Sequence, residues 1–300
     1  MTSGVPQPST SQTQDQNQNE RENENENENK EEKPPHPEIK DDRQTALQAL
    51  LTADAYIIAT PTYSHAPASP LKNLLDCIAG PYLDYAFTQQ TLSKKAHGDP
   101  SFANFTPDPR ILKPRVLGFI VTAGSTTPDQ YSLALPNLHL LFYCLHVKCV
   151  DQFVGRGCLQ AGSVLLRPGL VERAGMLGAR VASQVGKGYE EAEYLGEREK
   201  GACPYCCLRK FELLRFEGEE EGEEGGENSI GCVTCGARGR LVVGEDGEVL
   251  PEFEADSEWS CLTLRGKVKH CEDIVRWGRE QEGRMEGIRA EVRRWAELEV

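Results

Sequence analysis

Residues 53–76 constrain the fold more than any other stretch of this chain. An apolar run, Ala55 to Ala59, stops at Thr60-Pro61 and gives way to a loop of small and hydroxylated residues, Thr62 to Ser69. A helix then opens near Pro70, where proline suits the first turn, and Leu71, Leu74, Leu75 and Ile78 form its buried stripe before Gly80-Pro81 ends it. The order is strand, loop, helix. In an open parallel sheet, ligands bind outside the carboxyl ends of the strands, where such loops gather.

The same alternation recurs downstream. Residues 42–52 carry Ala46, Leu47, Leu50 and Leu51 on one helical face, and Arg115 to Val121 reads as a second buried strand leading into the loop Thr122-Ala-Gly-Ser-Thr-Thr-Pro. Leu133–Leu145 reads as a helix despite Pro136, Val147–Phe153 as a third strand, and 168–186 as a closing helix. Residues 81–110 lack a clear period and read as a long loop with at most one helix. The fold class is therefore α/β, with a parallel sheet and crossover helices over 41–190.

Composition narrows the function. The 300 residues carry a formal net charge of −14, which disfavours nucleic-acid backbones and anionic membranes. No apolar stretch reaches the roughly 20 residues that span a bilayer, and the polar N-terminus has no signal-like apolar core. Eleven cysteines, four of them in two Cys-x-x-Cys pairs, suit a reducing compartment, so a cytoplasmic location is expected. Residues 1–40, rich in Gln, Asn and Glu, hold too little apolar area to offset ordering costs and are expected to be a disordered tail.

Cys203-Pro-Tyr-Cys206 and Cys232-Val-Thr-Cys235 form the strongest motif. Two such pairs place four thiolates on two tight knuckles that close a tetrahedral site, for which zinc is the expected metal and iron the alternative. Gly236 lets the backbone turn after the second pair, and Cys207 reads as a spare thiol because the four paired sulfurs already fill the site. Residues 209–216 and 239–243 read as strands of a zinc ribbon over 200–250, with 217–227 a solvated acidic loop. Arg209, Lys210, Arg215, Arg238 and Arg240 are outnumbered by those glutamates, so nucleic-acid binding by the module is not expected. Residues 264–298 read as an amphipathic helix, or a pair of helices interrupted at Gly278, Gly283 and Gly287. His270 and Cys271 near its start are read as core or capping residues rather than ligands.

With Asp41-Asp42, Ala53-Asp54-Ala55, Thr60-Pro61-Thr62-Tyr63, Leu71-Lys72…Asp76 and Thr122-Ala123-Gly124 in view, the chain resembles the flavodoxin-like NAD(P)H-dependent FMN reductases, particularly members with a zinc-ribbon tail. Cys77 stands where that family often has an arginine. The resemblance implies a 2-1-3-4-5 strand order with FMN at the carboxyl edge of the sheet. It implies that Pro61, Thr62, Tyr63 and Ser64 line the isoalloxazine ring, and that Ala123, Gly124 and Ser125 supply a second ring-side loop. It also implies homodimers with flavin sites beside the subunit interface. Physical chemistry supports the assignment, because a flat ring stacks on tyrosine and approaches backbone amides near glycine.

The family's first strand, phosphate-binding loop and second strand have no counterpart here, so strands three, four and five remain and Tyr56-Ile57-Ile58 lies along an open edge. Either that part of the gene product lies outside this sequence or the protein has diverged; the residues leave both open. The expected function is an NAD(P)H-dependent flavin oxidoreductase serving a small-molecule electron acceptor. The alternative is a non-catalytic zinc-ribbon interaction protein on a degenerate flavodoxin-like scaffold. No nucleophilic triad is evident; His65 reads either as a contact to flavin or substrate or as an ordinary loop histidine.

Overall fold

The structure is a computed structural model and describes residues 41–214 and 228–297. The expected disordered tail and the acidic loop fall outside the described residues.

Helix α1 (Arg43–Thr52) leads into β1 (Ala55–Tyr63), which turns back into the short β2 (Ala66–Pro67). Helices α2 (Ser69–Leu83) and α3 (Tyr85–Ala96) follow, then β3 (Val116–Ala123), α4 (Ala134–Phe142), β4 (Lys148–Arg156) and α5 (Pro168–Ser183). Strands β1, β3 and β4 are parallel in that order, with Ala55 opposite Val116 and Val116 opposite Lys148. These are the three strands the sequence leads one to expect, and among the described residues β1 has no partner on its outer side except β2 at Thr62 and Tyr63. Ile57 on that edge is half exposed.

Strand β3 reads as an almost unbroken apolar run because both its faces are covered. Leu117, Phe119 and Val121 pack with Leu47, Leu75, Ile78 and Leu138 on the side of α1, α2 and α4; Val116 and Val150 meet Leu177 and Val181 of α5 on the other. Gly118 is where α5 approaches most closely: a Cβ there would lie 2.7 Å from Leu177 Cδ2 and 2.9 Å from Val181 Cγ2. Gly118→Ala should therefore destabilise by about 1–3 kcal/mol through overpacking, read as a lower denaturation midpoint.

One local reading is corrected and two are made definite. Helix α2 runs past Gly80-Pro81 because Leu83, only 1% exposed, draws its last turn into the core. The segment 81–110 holds a regular helix, α3, started by Asp84, whose side chain accepts from Phe87 N at 2.8 Å. Pro136 sits in the first turn of α4, where no helical hydrogen bond is lost.

The second sheet is antiparallel, β5 (Phe211–Leu213), β6 (Ser229–Cys232), β7 (Arg238–Val243) and β8 (Val249–Phe253) in sequential order. The sequence reading had only the first and third of these. The last element, α6 (Leu264–Ala296), is one unbroken helix of 33 residues, not a pair. Thr263 caps it by accepting from Gly266 N at 2.9 Å. Buried Lys267 pins the first turn, donating to Leu262 O at 2.8 Å and lying 3.3 Å from His146 Nδ1. Burial pushes Lys267 down to about 8 and His146 to about 3. The imidazole is thus neutral near pH 7.

Candidate active site and metal centre

The carboxyl ends of β1, β3 and β4 open onto a cleft of about 500 Å³. Its front wall is a hairpin. Thr62 and Tyr63 of β1 pair with Pro67 and Ala66 of β2, and Ser64 and His65 make the turn with φ of 48° and 71°. Two successive left-handed residues are what a tight two-residue hairpin requires, here achieved without glycine. Thr60 Oγ1 accepts from Ala68 N at 3.2 Å and closes the base of the hairpin, and His65 Nδ1 lies 2.9 Å from Asp129 O. The stretch expected as a loop, Thr62 to Ser69, is thus a short strand hairpin that runs into the next helix. Tyr63 is 67% exposed and faces the cleft rather than packing on the following helix.

The second wall is the loop after β3. Gly124 and Ser125 line the cleft, and Ser125 Oγ accepts from Thr127 N at 3.1 Å. Ala123, expected beside them, is 1% exposed and lies beneath the surface, so it is not a lining residue. Its carbonyl instead accepts from Cys158 N at 2.8 Å, tying in a third wall that the sequence reading missed. That wall is the loop 157–164 after β4, which contributes Cys158, Leu159 and Gln160. The signal was available, since this loop leaves the carboxyl end of a parallel strand like the other two. Pro61, Thr62, Tyr63, Ser64, Gly124 and Ser125 come together here as expected, and His65 joins them.

The cleft combines hydroxyls and backbone amides with an exposed aromatic and an apolar wall, and it stands open between its own side chains. These features fit a planar heteroaromatic ring held edge-on by polar groups and face-on by Tyr63 and Leu159.

The four cysteines converge as the spacing requires. Their sulfurs all lie within 4.8 Å of one another, with Cys203–Cys235 at 3.5 Å and Cys206–Cys232 at 3.6 Å. Sulfurs bound at about 2.3 Å to a tetrahedral ion would stand about 3.8 Å apart, so the set fits a metal. The two knuckles have matching backbones: Cys207 N donates to Cys203 O at 3.0 Å and Gly236 N to Cys232 O at 2.8 Å. Cys207 (φ 57°) and Gly236 (φ 81°) both take the left-handed conformation. Hydrogen bonding to Cys203 and burial push the Cys206 and Cys235 thiols up, so four thiolates would not persist together without a cation.

The four-cysteine module is built into the α/β core. Gln152 of β4 donates through Nε2 to Cys206 O at 2.7 Å, and its Oε1 lies 2.8 Å from His139 Nε2. The amide oxygen accepts, so His139 Nε2 carries the proton; burial lowers this histidine to about 4 and keeps it neutral. Neighbouring Asp151, fully buried, is held by Arg173 and Arg180 of α5. Burial would raise its carboxyl, but the two guanidinium partners outweigh that and lower it.

A model of the NADPH-dependent FMN reductase family matches residues 17–95. Flavone synthase cfoJ of Aspergillus candidus is 34% identical over 250 residues, spanning 82% of this chain and 70% of its own. The chain belongs to the NADPH-dependent FMN reductase family. A solved structure named flavone reductase matches the chain with a TM-score of 0.69 and 26% identity, over 88% of the chain and 84% of the other. An NADH:FMN oxidoreductase in its apo form matches at 18% identity and a TM-score of 0.33, over 51% and 64%. The family and the match to the flavone reductase structure make the fold the flavodoxin-like one and the function that of an NAD(P)H-dependent flavin oxidoreductase. Among the described residues no helix is long and apolar enough to cross a membrane.

Proposed function

We propose that the cleft holds the isoalloxazine ring of FMN and admits a flat, flavone-type molecule as electron acceptor or donor. Bound FMN supplies hydride exchange between a nicotinamide and the organic substrate. The chain's own residues orient and enclose. The observation that carries the reading is the three-walled cleft at the carboxyl ends of β1, β3 and β4, polar along the Gly124 side and apolar at Tyr63 and Leu159. Thr62, Ser64 and Ser125 offer hydroxyls to ring carbonyls, and backbone N–H groups near Gly124 approach without a Cβ in the way. The substrate class is supported by the names of the relatives, a flavone synthase and a flavone reductase. We further assign zinc to Cys203, Cys206, Cys232 and Cys235, as a structural ion with all four positions filled by protein.

Purified protein titrated with FMN should acquire bound-flavin absorbance to one equivalent, and should then oxidise NADPH or NADH faster when a flavone is added. Protein that takes up no FMN at millimolar concentration would overturn the reading. Gly124→Val serves as the site-specific check. A Cβ at Gly124 already lies 3.0 Å from Leu159 Cδ1. The added methyls must displace that wall or enter the cleft, weakening FMN about tenfold, or ~1.4 kcal/mol, with the thermal midpoint little changed.

A further inference from the structure

The apolar stripe on α6 is not absorbed by the fold. From Ile274 onward every described residue of the helix is exposed over about 34 Å, with only the turns up to Glu280 running beside α3. Ile288 and Val292 are 47% exposed and Trp295 61%. An amphipathic helix of this kind owes its stability in water to packing of its apolar face.

The spacing identifies what packs there. Ile274, Gly278, Gln281, Met285, Ile288, Val292 and Trp295 alternate at steps of four and three, the seam of a two-stranded coiled coil. Flanking that seam are Glu282 and Arg289 on one side and Arg284 and Glu291 on the other. In a parallel pair of identical helices, Arg284 would face Arg289 of the second copy, a repulsive contact made twice. In an antiparallel pair centred between Glu286 and Gly287, Glu282 faces Arg289 of the second copy and Arg284 faces Glu291, giving four attractive contacts. The seam is complementary in the same register. Met285 meets Ile288, Gln281 meets Val292, and Gly278 leaves space for the large Trp295. Glu291, now bonded to Arg294 and Trp295 of its own helix at 3.3 and 3.4 Å, is already oriented along this face.

We propose that α6 is a self-association element that pairs antiparallel with α6 of a second copy in this register. The surface is separate from the flavin cleft, and the inference does not depend on the flavin reading.

The test is sedimentation equilibrium of the full chain. Wild type should be dimeric at micromolar concentration, and Ile288→Glu should be monomeric with an unchanged thermal midpoint for the body. Arg289→Glu decides the orientation. It sets Glu282 against a glutamate twice in the antiparallel pair and should weaken the dimer at least about tenfold. In a parallel pair it would remove the Arg284–Arg289 clash and strengthen the dimer. Mixing Arg289→Glu with Glu282→Arg chains should restore a tight mixed dimer, because all four contacts become attractive again. A monomeric wild type, a dimer indifferent to Ile288→Glu, an Arg289→Glu dimer as tight as wild type or tighter, or a mixture that fails to recover would each overturn the proposal.

Discussion

Replacing Cys232 by serine should abolish stoichiometric metal binding and unfold the antiparallel module. Structural zinc sites of four thiolates contribute on the order of 10 kcal/mol to folding, and a set of three sulfurs no longer closes a tetrahedral site. The damage should extend into the α/β core. The Cys206 carbonyl is the acceptor for Gln152 on β4, and Gln152 in turn orients buried His139. Loss of the knuckle leaves that amide unsatisfied among buried groups, costing about 1–3 kcal/mol more. Metal analysis and thermal unfolding, done side by side, read both effects. Cys207→Ser is the matched control: its sulfur is outside the four-sulfur cluster, so about one metal ion per chain should remain. A Cys232→Ser protein with full metal content and an unaltered midpoint would refute the assignment.

The second large effect lies on the other side of β4. Asp151→Ala should destabilise the chain by about 3–5 kcal/mol, because it removes the carboxylate between Arg173 and Arg180 and leaves two guanidinium groups partly buried without it. Arg173 contacts both carboxylate oxygens, and Arg180 adds a bond of 2.9 Å. Asp151→Asn, which keeps the shape and drops the charge, should cost less. The pH dependence has a defined sign. The folded carboxyl is held below its ordinary value of 3.8, so its contribution is complete above that value and disappears as pH falls through the lower folded value. The stability gap between wild type and Asp151→Asn, measured by denaturant titration, should therefore be constant from pH 8 to about pH 5 and shrink below about pH 4.

Much of this was legible in the residues, and the exceptions have physical reasons. The runs at 55–59 and 115–121 are apolar on both faces and bounded by polar loops, which leaves little choice but buried parallel strands. The extension of β1 to Tyr63 was hidden because Pro61 and two threonines resemble a loop, and because the turn at Ser64-His65 uses no glycine. Strand β8 was hidden by Pro251 in its middle, and β6 by the glycine-cysteine pair that also builds a knuckle. The four converging cysteines were legible from spacing alone, since local knuckle geometry depends only on neighbours in sequence. The Gln152–Cys206 contact joins residues 54 apart and leaves no local trace. The third wall of the cleft was missed for a different reason: Cys158-Leu159-Gln160 has no distinctive composition, and only its place after β4 marks it.

The front and back of the cleft differ in how freely they can change. Ser64 and His65 are fixed by two left-handed backbone conformations and a tie to Asp129, so most substitutions in that turn would break the hairpin before they altered its shape. In the loop 157–164 the left-handed backbones fall on Gly157 and Gly162 and the tie to Ala123 on the Cys158 amide, whereas the side chain of Leu159, at 82% exposure, is free to vary. Divergence toward new substrates would accordingly be written in the loop after β4, while the hairpin stays much the same across descendants that act on different molecules.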